Sequence, residues 1–186
     1  MQQQRDRTLG DGVFYAREDC RGIRMRLLIL IVDVVVLVAL WIALWYLIVF
    51  GGWMPEDRYA MFYFLFVWVY MAVLRQSVVR TPGYWLTNSQ IVTLKGKRPS
   101  ILRMTLRLVF WLAGPINMLF DLAWAGVEMD RQSMRDRLVG TMLIRNGAKP
   151  AGTGEIHLDH VFVCGLAPIY SRVMYRKRFQ ESSTLT

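Results

Sequence analysis

Residues Arg26 to Phe50 read RLLILIVDVVVLVALWIALWYLIVF, and this stretch decides the fold. The 24 residues from Leu27 onward hold one side chain that is charged at neutral pH, Asp33, and no Pro or Gly. At ~1.5 Å rise per residue they predict a helix roughly 36 Å long, enough to cross ~30 Å of hydrocarbon with some tilt. Trp41, Trp45 and Tyr46 crowd its second half as a membrane–water belt would. A carboxylate is costly in lipid, so Asp33 is expected to face other protein or a wet cavity.

Working outward, Gly51, Gly52 and Pro55 predict a short turn carrying Glu56 and Asp57 against Arg58. A second apolar run, Tyr59 to Leu74, returns the chain, with Arg58 and Arg75 able to snorkel to the two surfaces. The two runs predict an antiparallel transmembrane hairpin, with helices near 26–50 and 59–79. A secretory signal peptide is not expected, because the apolar core is too long and no small-residue cleavage site follows.

Charge sets the expected orientation. Residues 75–107 carry seven basic and no acidic side chains, and residues 1–26 carry six basic and four acidic. Both place their segments in the cytoplasm by the positive-inside rule. The net charge of +9 is thereby assigned to the membrane surface and its anionic lipid, and nucleic acid is not expected as a partner. With 186 residues, 54% of them hydrophobic, the chain is one membrane unit with polar flanks.

A third apolar region, residues 101–129, is interrupted at Gly114-Pro115, giving helices near 101–113 and 116–129. It is either one kinked crossing or a hairpin that enters and leaves on the cytoplasmic side; the nine basic and six acidic residues of 128–186 favour the second. Leu86 to Leu94 and Met142 to Arg145 have strand-like content and pair if they lie on the same side, with a short basic helix around Arg131 to Arg137 between them. Residues 1–20 are expected to be a flexible cytoplasmic tail with a short interfacial helix near Phe14 and Tyr15. Residues 147–186 are expected to be a cytoplasmic tail ending in a basic amphipathic stretch. The fold class is therefore all-α and multi-pass, a helical hairpin plus a broken third segment, with a small cytoplasmic β-element.

Chemistry, if present, rests on buried charge. Arg26 and Asp33 lie two helical turns apart on one face, so Arg26 either sets the pKa of an ion-binding Asp33 or anchors the helix at the headgroups. Asp121 is the second carboxylate in an apolar run. In the hairpin topology it lies level with Asp33 and shares a proton or monovalent cation with it, Asn117 adding an oxygen; otherwise it pairs with Arg103 or Arg107. Asp136 is expected either to clamp Arg26 or Arg24, or to mark the mouth of an ion path. His157, Asp159, His160 and Cys164 do not share a strand face, so no metal or other cofactor is expected. Cys20 and Cys164 form no CxxC and are expected to be reduced. No nucleophile elbow, P-loop or HExxH occurs, so no enzyme is expected.

These residues carry a family resemblance. Arg26 and Asp33 in the first helix, Thr81-Pro82-Gly83 after the second, and DRLVGT from Asp136 to Thr141 resemble the RDD family over about residues 21–146. Tyr84 stands where the family's turn has lysine, and Arg135 where histidine often precedes the aspartate. The resemblance implies a membrane protein of the bacterial inner membrane, with transport suggested and sodium/proton exchange proposed for some members. Cation or proton exchange through Arg26, Asp33 and Asp121 is therefore the leading expectation. A non-catalytic scaffold or accessory subunit is the alternative, and either one is expected to need a homo-oligomer or a membrane partner.

Overall fold

The computed structural model describes residues 8–112, 121–126, 131–160 and 169–174. The first strand, β1 (Thr8–Phe14), leads into the long helix α1 (Ile23–Trp45), which continues as a π-helical turn to Phe50. Helix α2 (Glu56–Trp68) returns and continues to Gln76. A one-turn helix α3 (Pro82–Leu86), strand β2 (Ser89–Thr93) and helix α4 (Ile101–Leu112) follow. Then come a helical segment α5 (residues 121–126), α6 (Met134–Val139), β3 (Thr141–Arg145), β4 (Gly152–His160) and β5 (Ile169–Met174).

Among the described residues, two helices are long and apolar enough to cross a membrane: Ile23–Phe50, with mean hydropathy 3.1, and Glu56–Gln76, with 1.3. Only 17% and 22% of their most apolar windows are buried, the reverse of a core helix in a water-soluble domain. They lie antiparallel. The Tyr59 hydroxyl donates to the Trp41 carbonyl and the Tyr63 hydroxyl to the Leu37 carbonyl, each at 2.6 Å. Leu37, Tyr70 and Met71 pack between them.

The expectation of an all-α fold does not hold, because among the described residues five strands form two sheets. In the first, β2 pairs antiparallel with β3, from Ser89 opposite Arg145 to Thr93 opposite Thr141. Strands were expected at these two places, but Leu86 belongs to α3 and the first strand begins at Ser89. Both strands are buried along most of their length because both of their faces are covered. Ile91 and Leu143 pack with Ile29, Ala72, Tyr84 and Met104 below the hairpin. Val92, Met142 and Ile144 pack on the other side with Tyr15, Ile156 and Val173.

That other side is the second sheet, in the order β1-β4-β5. Thr8 pairs with His157 and Phe14 with Gly152, while Glu155 pairs with Met174. The segment near Phe14 and Tyr15 is therefore a strand and its end, not an interfacial helix. The region after residue 147 contributes two strands to a core, where a surface-lying tail was expected. Gly12 and Gly152 allow this closeness: a Cβ on Gly12 would sit 2.7 Å from Ile156 Cγ1, and one on Gly152 would sit 2.5 Å from Phe14 Cζ. The architecture is thus three layers: the helical hairpin, β2–β3, and β1-β4-β5. Gly114-Pro115 lies outside the described residues.

Candidate functional site: a buried arginine–aspartate network

Arg26, Ile29, Asp33 and Leu37 form the buried stripe of α1, at the three- and four-residue spacings of one helix face. The sequence placed Arg26 and Asp33 together, yet the structure gives each a different partner.

Asp33 is fully buried. Its Oδ2 accepts from Arg75 Nη2 at 2.8 Å and from the Thr81 hydroxyl at 3.1 Å. Its Oδ1 accepts from the Tyr70 hydroxyl at 3.1 Å and the Gly83 backbone N–H at 3.0 Å. The Thr81-Pro82-Gly83 turn is built for this contact. Thr81 is extended, Pro82 opens α3 without needing a hydrogen-bond partner, and Gly83 brings its N–H against the carboxylate. A Cβ at Gly83 would lie 2.7 Å from both Asp33 Oδ1 and the Ile29 carbonyl oxygen, so only glycine fits. Tyr84, where the family pattern has lysine, is buried with the Arg75 guanidinium 5.4 Å above its ring.

Asp136 is the second centre. Ser133 and Asp136 form a capping box that starts α6, and Gly140 ends the helix in the left-handed region at φ 67°. The same fully buried carboxylate forms ion pairs with Arg26 Nη1 at 2.7 Å and Arg107 Nη1 at 2.6 Å. Burial alone would raise its pKa. The charges of Arg107, Arg26 and Arg135 outweigh that and hold the carboxyl well below the usual carboxylate range. Arg26 also donates to the Arg21 and Arg131 carbonyls, and Arg107 to the Thr141 hydroxyl at 2.7 Å. Of the two readings of Asp136, this geometry matches the clamp to Arg26, with Arg107 as a second arm.

Asp121 pairs with Arg135, through Nε at 3.0 Å and the backbone N–H at 2.9 Å, rather than with Arg103 or Arg107. Asp33 and Asp121 are held by separate arginines and do not share a site. Arg103 is exposed, and Asn117 lies outside the described residues. Sequence reasoning missed Arg75, read only as a lipid anchor. It lies about as far beyond the Gly51–Pro55 turn as Asp33 lies before it, which is the signal that could have paired them.

Arg75 and Arg135 both line two small cavities between these centres. One, of about 20 Å³, also meets Arg26 and Tyr84, and the other, of about 10 Å³, meets Arg107. The first has room for about one water. Arg75 Nε is buried with no hydrogen-bond partner among the described residues. His157 pairs with Glu155 at 3.3 Å, and the Asp159, His160 and Cys164 side chains lie outside the described residues. Cys20 is buried.

Two apolar, outward-facing helices, joined to each other by Asp33–Arg75 and to α6 by Arg26–Asp136, define a membrane protein with a charge-clamped hairpin. The RDD family model matches residues 21–140, and the chain belongs to that family. No curated protein and no solved structure matches it.

Proposed function

We propose that the chain is a two-span protein of the cytoplasmic membrane, amino terminus inside, that serves as a non-catalytic scaffold or accessory subunit for other membrane helices. The coordination of Asp33 carries this reading. A carboxylate offers about four acceptor directions. Four protein donors at 2.8–3.1 Å occupy them, leaving none for a cation. Asp136 is likewise taken by two arginines. Such pairs fix elements against one another, and the outward faces of the hairpin, with Ile31, Val35, Ile42 and Leu65 exposed, are left for lipid, a second copy or a partner membrane protein.

Exchange of protons or a monovalent cation is the second reading, and one observation favours it. Arg75 has an Nε without a hydrogen-bond partner among the described residues, and it lines both small cavities. If it left Asp33, a proton or cation could take its place at Oδ2.

Sodium-dependent pH change in everted vesicles, measured beside thermal melting of the same purified variants, separates the two. The scaffold reading expects no wild-type signal, and a loss of about 3–5 kcal/mol in both Asp33→Asn and Arg75→Gln from breaking a buried pair. A wild-type signal abolished in an Asp33→Asn protein that melts like wild type would overturn it and establish exchange.

A further inference from the structure

Outside the network, a cavity of about 480 Å³ opens where the β2–α4 connection meets α6 and β5. That size lies within the ~300–1,000 Å³ typical of small-ligand sites. Four cations line it, Lys95, Lys97, Arg98 and Arg103, with the hydroxyls of Ser100 and Ser171. No acidic residue is among the lining, and none of the four cations has an acidic partner among the described residues.

Two of these donors, Ser171 and Arg103, come together beside Gly140. Gly140 ends α6 with φ 67°, and the position its Cβ would take lies 3.1 Å from Ser171 Oγ and 3.9 Å from Arg103 Nη1. Leu94 and Ile156 supply an apolar wall beside them. Like charges gathered without counter-charge repel one another, and a bound anion removes that cost. An anion with several acceptor oxygens suits paired Lys, Arg and hydroxyl donors better than a halide does.

We propose that this cavity binds a phosphate group, with Lys97 and Arg103 as its main charged contacts and Ser171 as a hydroxyl donor. The mouth adjoins α4, which exposes Leu102, Leu106, Val109 and Phe110 on one side. On the two-span reading, that side meets the cytoplasmic leaflet, which brings anionic lipid headgroups to the cavity; a soluble phosphate would enter from the cytoplasm. The phosphate chemistry does not depend on that reading, but the lipid source does.

Binding is measured on the full chain in phosphatidylcholine nanodiscs, in one arm with added phosphatidylglycerol and in the other with inorganic phosphate. The variant Lys97→Gln/Arg103→Gln is compared with Arg24→Gln/Lys149→Gln, which removes the same charge outside the cavity. At roughly fivefold per cation near a surface, the cavity pair is expected to weaken binding about twenty-five-fold, and the control pair much less. Loss in the phosphatidylglycerol arm assigns the phosphate to lipid, and loss in the inorganic phosphate arm assigns it to a soluble ligand. Equal weakening in both pairs, or no binding in either arm by a wild-type protein that melts normally, overturns the site.

Discussion

Gly83 shows how closely this molecule is fitted around one carboxylate. The residue has an ordinary backbone conformation, so its necessity comes from space: a methyl group there would press on Asp33 Oδ1 and the Ile29 carbonyl, both at 2.7 Å. Gly83→Ala therefore has to push α3 from α1 and weaken the N–H contact to Asp33. We expect a loss of about 1–3 kcal/mol, as overpacking in a tight site costs, read as a lower melting temperature in detergent. Unchanged melting would mean the turn is not seated on Asp33. Asp136 makes a pH prediction. Its folded pKa is depressed, so its contribution to stability is complete above the unfolded value of about 3.9 and is lost as pH falls from there toward the folded pKa. Acid unfolding followed by tryptophan fluorescence is expected to begin below about pH 4. In Asp136→Asn the curve should start from a lower stability, with Arg26 and Arg107 left unpaired, and fall less steeply with acid. Parallel curves for the two proteins would sink this assignment.

Among the elements, the hairpin is tied by hydroxyls as well as by packing. Tyr59 and Tyr63 donate to helix carbonyls of α1, at Trp41 and Leu37. Hydrogen bonds between membrane helices average about 0.6 kcal/mol, with about 1.7 as an upper value. Tyr59→Phe and Tyr63→Phe should each cost that much, and the double variant roughly the sum, in a detergent unfolding titration. A combined loss no larger than either single one would show that the two bonds are not independent ties. The elements also divide by how legible they were. The hairpin is written locally, in two apolar runs and the turn between them. β2 and β3 were readable too, as short apolar runs bounded by Gly, Pro and Asn. The outer sheet was not. TLGDGVF and GTGEIHLDH mix glycine and charge with few apolar side chains, and their pairing joins Thr8 to His157 across almost the whole chain. No periodicity announces a strand whose partner is that far away. The same holds in the site: the Arg26–Asp136 clamp could be anticipated from two charges at one surface, whereas Asp33–Arg75 needed the register of the hairpin.

For the whole molecule, the sheets constrain the topology that the hydropathy left open. Hydrogen-bonded strands cannot be divided by a bilayer, since no unpaired sheet edge survives in hydrocarbon. On the two-span reading, the pairing of β1 with β4 places residues 14 and 152 on one side of the bilayer. On the same reading, the pairing of β2 with β3 places Thr93 and Thr141 on one side. A single kinked crossing is incompatible with both pairings. α4 fits the remaining choice: Met104 and Arg107 face inward, while Leu102, Leu106, Val109 and Phe110 stay exposed, the one-sided pattern of a helix lying in the interface. On the two-span reading proposed above, the seven unopposed basic residues of 75–107 favour the cytoplasm for this layer. A reporter active only outside the cytoplasm should therefore be silent when fused after Lys149, and active when inserted in the Gly51–Pro55 turn. Activity after Lys149, in a fusion that still inserts, would require an odd number of crossings. It would separate β1 from β4 and β2 from β3, and with them the Arg26–Asp136 clamp that joins the first helix to the layer beneath it.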